Sequence, residues 1–330
     1  MNLKRLVLLA SILHLFTFPA QAFDFAPFRA RNLTPTSLVQ TLSTAEPARL
    51  LASGASKVSL DLDLASHAIV SNQGAEQLQL DGETLVTTIG LRRGLNKQLQ
   101  VGFDLSWINH DQGSLDGFIS DWHDFFSLPN GDRDILPDDI LTYRYLRNGN
   151  ELLKLDRPVD GLGDLRLQLA WQLAVSELSA SALHVSLKVP TGSASKLTGS
   201  EGWGAAVAWA LERRVSLEGE KSAAVWGGLG GSWLGDGEIL AAQARNVAAR
   251  AWLGAGWSPM KQLAFKVQLD SQTALYDSAL TTLGSPSLLL TMGGTLALGE
   301  RTFFDLGVGE DLAVKSAPDV TFQFGLSHYF

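Results

Sequence analysis

From residue 58 onward, the dominant period of apolar residues along the chain is two. Side chains of a strand alternate between two faces, so this period marks strands with one apolar and one polar or small face. The first run is Val58, Leu60, Leu62 and Leu64, followed by Leu85 to Leu91 and then Leu99, Val101, Phe103, Leu105 and Trp107. Opposite the third run stand Gln98, Gln100, Gly102, Asp104 and Ser106. Leu165 to Leu173 and Leu183 to Val189 repeat the alternation, while Trp203 to Leu211 and Ala223 to Trp233 alternate large residues with Gly and Ala. Val247 to Trp257, Leu263 to Leu269, Leu288 to Leu298, Phe304 to Val308 and Val320 to Phe330 complete the series.

These runs predict twelve strands, or fourteen if the ambiguous link from Arg213 to Ser222 holds two more. Short links at 94–96, 176–178, 258–260 and 299–301 alternate with long ones at 108–160, 190–201, 234–245, 274–286 and 313–319. That alternation, with an even strand count, is the signature of a transmembrane antiparallel up-and-down β-barrel. A β-sandwich also alternates, but its strands average about five or six residues, whereas a tilted membrane strand needs about nine to eleven. Trp107, Trp171, Trp203, Trp233, Trp257 and Phe330 lie near run ends or share the apolar parity, as interfacial girdles do. The last run should close against the first. Its aromatic terminus, Phe330, resembles the signal read by the barrel-assembly machinery.

Two segments lack the strand period. Residues 23–55, with Pro27, Pro35 and Pro47, predict an N-terminal strap or a plug folded into the lumen, and 56–330 the barrel. The excursion 108–160 is too long to be a passive loop. Apolar residues at 115, 118, 119, 122, 125 and 126 have helical spacing, with Asp116 as cap and Pro129-Asn130-Gly131 as stop. Residues 141–146 and 151–155, turned at Asn148-Gly149, read as a hairpin. An extracellular helix and hairpin could cap the mouth, where Trp122, His123, Phe126 and Arg133 are the candidate residues.

The first residues set the compartment. Lys4 and Arg5 precede thirteen apolar residues, Leu6 to Phe18, and Pro19-Ala20-Gln21-Ala22 supplies small residues for cleavage. As a helix that run would rise about 20 Å, short of a hydrocarbon core of about 30 Å, so residues 1–22 read as a signal peptide. Its removal leaves 308 residues and takes the net charge from −8 to −10. An acidic chain is a poor match for nucleic acid, which needs clustered Lys and Arg. With no cysteine there is neither a disulfide framework nor a thiolate metal site.

On the polar parity stand Asp61, Asp63, Arg92, Asp104, Arg166, His184, Lys188, Arg250, Lys266, Asp270 and Asp305. As lumen-lining residues of both signs they could steer a solute, or they could pair and simply satisfy buried charge. Pro190-Thr191-Gly192-Ser193 lacks the ending of a phosphate loop, and Asp132, Asp134, Asp138 and Asp139 lack the spacing of a calcium loop. His184 and Ser186 share a face, but same-face neighbours lie roughly 6.6 Å apart and a nucleophile also needs an orienting third group. No catalytic residue, metal or cofactor is expected.

Several motifs resemble those of domain-of-unknown-function family 3187. The densest is Gly117-Phe118-Ile119 with Trp122-His123, Phe126, Leu128-Pro129-Asn130-Gly131 and Arg133. Arg31-Asn32 with Pro35, Glu83-Thr84, Gly161-Leu162-Gly163-Asp164 and Lys188-Val189-Pro190-Thr191-Gly192 also match. So do Gly199-Ser200, Asp270 with Gln272 and Tyr276, Glu310-Asp311-Leu312 and Ala317-Pro318-Asp319. Glu201 departs from the pattern, which leads one to expect glycine there. The resemblance implies an exported outer-membrane barrel of a Gram-negative bacterium and brings no activity with it. The expected function is a channel or transport-type barrel for small solutes, with a non-conducting structural or envelope-assembly barrel as the alternative and a lipid hydrolase well behind. Expected partners are outer-membrane lipid and lipopolysaccharide, the barrel-assembly machinery during insertion, and an unknown small solute.

Overall fold

A computed structural model describes residues 25–40, 44–126, 132–313 and 315–330, with the side chains of Trp122, His123 and Phe126 left out. The predicted signal peptide and the predicted Pro129-Asn130-Gly131 stop lie outside the described residues. Fifteen strands form one sheet: β1 (Ser56–Gln73), β2 (Glu76–Gly94), β3 (Leu99–Asp111), β4 (Thr142–Arg147), β5 (Asn150–Leu155), β6 (Val159–Leu162), β7 (Leu165–Val175), β8 (Ser179–Val189), β9 (Gly204–Ser216), β10 (Ser222–Leu234), β11 (Val247–Met260), β12 (Leu263–Gln272), β13 (Ser287–Ala297), β14 (Thr302–Asp311) and β15 (Val320–Tyr329). Helices are short: α1 (Pro35–Leu38), α2 (Asp116–Phe126) and α3 (Thr281–Gly284).

Twelve strands, β1–β3 and β7–β15, make a closed antiparallel barrel. The last pairs with the first, Val58 opposite His328 and Ser66 opposite Val320. The Phe330 N–H adds a bond to the Ser56 carbonyl at 2.9 Å. Closure leaves no edge along the wall, which a backbone in hydrocarbon requires. The link from Arg213 to Ser222 is one hairpin, with Ser216 opposite Ser222, so the count is twelve. Its alternation fails because Glu218 to Lys221 is a polar turn around Gly219 at φ +72°.

The apolar parity faces outward: Leu60, Ile89, Leu169, Val207, Leu253 and Phe265 are all exposed. No described helix is long and apolar enough to cross a membrane. One end of the barrel carries the short turns and the other the long loops. At the loop end β1 and β2 run well past their predicted runs. Ala65 to Ile69 and Leu80 to Thr84 are buried throughout, so their alternation disappears. The β4–β5 hairpin extends the upper part of β2, and β6 continues the wall beside β3. Above Ser66 strand β1 loses β15 as a partner. There the Val70 N–H donates to Asp132 Oδ2 at 2.8 Å and its carbonyl accepts from Lys315 Nζ at 3.3 Å, so side chains blunt the edge.

Candidate functional site: the occupied lumen

Residues 25–40 and 44–51 lie inside the barrel as the two limbs of a strap. The ladders of the closed wall use its backbone groups between neighbouring strands, so a segment in the lumen must find side chains for its own polar groups. Glutamines supply them. Gln268 accepts from the Phe28 N–H at 3.0 Å and returns its amide to the Phe28 carbonyl at 2.9 Å. Gln172 holds the Ala48 carbonyl and the Leu50 N–H, and Gln100 accepts from the Leu51 N–H.

These contacts trace the path. Lys266 Nζ donates to the Ala26 carbonyl, Arg250 to the Ala30 carbonyl, and Asn32 to the Ser316 carbonyl in the last long loop, so the first limb climbs from the short-turn end. Helix α1 turns the chain beneath the loops, where Tyr276 donates to the Thr36 carbonyl. The second limb descends past Lys188 at the Val39 carbonyl and His184 at the Pro47 carbonyl to pairing between Gly54 and Gly94. Both limbs therefore meet the short-turn end. The strap is re-entrant and threads nothing.

All eleven charged or titratable residues of the polar parity face this strap or each other. Asp104 is the hub, pairing with Arg29 of the strap at 3.2 Å, with Arg92 at 2.9 Å, and with Arg166. Arg29 also pairs with Asp61 at 2.9 Å, and Arg31 with Asp63 at 3.5 Å. Arg166 lies 3.6 Å from Glu46. Across the lumen Arg250 pairs with Asp270 at 2.5 Å, and Lys266 with Asp305 at 2.6 Å. Lys188 binds Asp164 at 2.6 Å. Burial opposes charge on Arg29, but Asp104 and Asp61 outweigh it and raise its pKa. Burial likewise works against the Glu46 carboxylate, and Arg166 and Arg92 overcome it and hold that carboxyl below its usual range. Both groups are charged because their partners are in place.

The lumen divides in two. A vestibule of about 850 Å³ opens at the short-turn end between the limbs, lined by Arg29, Asp61, Arg92, Arg214, Lys261 and Phe330 among others. At the Arg29–Asp104 layer a second cavity measures about 40 Å³. Above that, the loop end is packed with apolar side chains: Ile69, Leu80, Tyr143, Tyr145, Leu240, Tyr276, Leu280 and Val39 of the strap form one buried cluster. The hairpin of the long excursion supplies Tyr143 and Tyr145, so it caps the mouth.

Helix α2 does not. The Glu83 carboxylate accepts from the N–H groups of Ser114 and Leu115 just before it. Asp116 is the first residue of the helix and not a cap before it, and its carboxylate accepts from Arg133 and from the Asp139 N–H. Arg133 is buried, reaching Ser66 at 3.1 Å and Asp319 at 3.5 Å, and so ties the excursion to the rim of β1 and the final loop. The backbones of Trp122, His123 and Phe126 belong to α2, and their side chains lie outside the described structure. His184 is spent on the strap carbonyl, and no described group of three His, Asp or Glu is arranged to hold a metal ion.

The sequence profile described as "Protein of unknown function (DUF3187)" matches residues 3–330. The chain belongs to the DUF3187 family. No curated protein matches it. Among solved structures, an outer membrane channel from Pseudomonas putida F1 superposes with a TM-score of 0.56 at 13% identity, covering 86% of this chain and 98% of that one. That likeness is one of fold. The transport unit of the autotransporter AIDA-I from Escherichia coli gives 0.47 at 9% identity, covering 89% of this chain and 96% of that one. The toluene transporter TodX of Pseudomonas putida gives 0.38 at 11%, over 94% of this chain and 98% of that one.

Much of what marks this DUF3187 chain lies where the strap is held. Asp164, Ser200 and the Val39 carbonyl all accept from Lys188 Nζ, beside the crossing of Gly192 and Gly199. A Cβ on Gly199 would lie 2.7 Å from the Gly192 Cα, so neither position has room for a side chain. Glu201, where glycine was expected, does adopt φ +60°, and its carboxylate accepts from the Ala194 N–H at 2.8 Å. The glutamines were missed as functional residues. Their signal was available: Gln100, Gln168, Gln172 and Gln268 all fall on the inward parity.

Proposed function

We propose that this protein is an outer-membrane channel for small polar solutes, held closed by its own N-terminal strap. The observation that carries the reading is the strap's path: it enters and leaves at the short-turn end, so it can withdraw without threading. Short turns belong to the periplasmic side of such barrels and long loops to the outside, which turns the vestibule to the periplasm. A lumen lined by Arg, Lys, Asp and Gln suits a polar or charged solute, since apolar cargo would gain nothing from displacing paired charges. The β4–β5 hairpin is a second closure, in series with the first.

The apolar cap favours a second reading, a barrel that never conducts and serves the envelope as structure. Planar-bilayer recordings separate the two. Four forms are compared: the mature chain, a deletion of residues 25–52, a deletion of 112–158, and both together. The expected result is a nearly silent mature chain, with steady conductance once both closures are gone. Silence in all four forms, each shown to be a folded barrel, overturns the channel.

A further inference from the structure

We propose that helix α2 is a lipid anchor, seating its Phe118–Phe125 face among the acyl chains of the outer leaflet beside strand β15. Phe118 and Phe125 are seven residues apart, two helical turns, and so share one face. They are 52% and 80% exposed. Asp121 borders this face, about 50° round the helix, and Asp124 lies beyond it, about 110° away; both are exposed, so the apolar face has one acidic flank.

The placement of that face selects its partner. The Phe118 ring lies 6.2 Å from that of Phe322. In β15, Thr321, Gln323 and Ser327 are buried toward the lumen while Phe324 and Leu326 are exposed on the outside, so Phe322 has the outward parity. The helix face is thus continuous with the apolar belt of the wall and turned away from the mouth. Its first turn is fixed by Glu83, by the Arg133–Asp116 pair and by Ile119, only 1% exposed. The anchored start leaves Phe125, nearly two turns further on, projecting along the rim. An interfacial helix of this kind buries its apolar face about 5–10 Å into the headgroup–acyl boundary. Such seating would hold the long excursion, and with it the hairpin that caps the mouth, at a set height on the barrel.

The chain has no cysteine, so single labels report without interference. Phe125→Cys, Asp124→Cys and Leu253→Cys are each spin-labelled in the full mature protein, folded into dioleoyl phosphatidylcholine vesicles. Collision with oxygen and with a water-soluble nickel chelate is then measured. Leu253, 63% exposed on the belt, is the lipid reference. The label at 125 should match Leu253 in favouring oxygen and show several-fold less nickel contact than the label at 124. Equal nickel contact at 124 and 125, with Leu253 shielded, overturns the anchor and leaves the membrane barrel standing. A water-exposed label at Leu253 would instead remove the barrel reading itself. Dipolar coupling between two copies labelled at 125 would assign the face to a second protein molecule and also overturn the proposal. Should Phe125→Cys fail to fold, Phe118→Cys reads the same face.

Discussion

The two halves of the lumen are filled by opposite means. Toward the short-turn end, the strap is held mainly by ion pairs and side-chain hydrogen bonds around an open vestibule, with a small apolar contact of Phe25, Ala45 and Ala48 against Trp226 and Trp252. Toward the loop end, the mouth is sealed by a packed apolar cluster to which the strap contributes Val39. Apolar packing is non-directional and survives small shifts of its members, whereas a buried ion pair is strong only while both partners are placed. The polar half is therefore the one suited to release, and the cap the one suited to persist.

Asp104→Ala should have the largest effect. It leaves Arg29, Arg92 and Arg166 without their common counter-charge in a buried site, a loss of about 3–5 kcal/mol. The expected outcome is a folded barrel whose strap is cut by trypsin at Arg29, Arg31 or Arg49. A strap that stays protected would show that the polar half is not what holds it. Leu80→Ala probes the cap, where Leu80 is fully buried. It should lower the unfolding free energy by about 2–4 kcal/mol, as buried leucine truncations do. Strap proteolysis should hardly change, so strap loss in this variant would merge the two halves into one unit.

The wall was legible because one buried face and one exposed face write alternation into the sequence. Legibility stops where that asymmetry stops. Ala65 to Ile69 and Leu80 to Thr84 are covered on both faces and carry no period. The weak alternation in β9–β11 has a related cause. Ala206, Ala208, Gly254 and Gly256 keep the inner face small, and Trp226, Trp252 and Phe25 fill the space so left. The strap shows no period because its partners are glutamine, lysine and arginine side chains far away in the chain. The charged residues of the site could be placed inside from parity, but their pairing across strands needs the closed barrel, and the strap's share in it needs its path.

The smallest expected effect lies on the border between the halves, at Asp319, which joins Arg133 to the final loop. Burial raises its pKa to about 6, with Asp132 and Asp311 adding to the shift against Arg133. Between about pH 4 and 6 the folded protein thus holds a proton here that the unfolded chain has lost, so this group's contribution to stability falls as pH rises through that window and is level above it. Asp319→Asn removes the titration and keeps the shape. In guanidinium unfolding from vesicles, the variant should gain on the parent at pH 7 and gain nothing at pH 4. The many paired carboxylates of the lumen pull the other way on acidification, but they are common to both proteins and cancel in the difference. A constant offset at both pH values would mean that Asp319 acts through its contact with Arg133 alone. The rim would then belong with the ion-paired half of the lumen, and the apolar cap would begin above it.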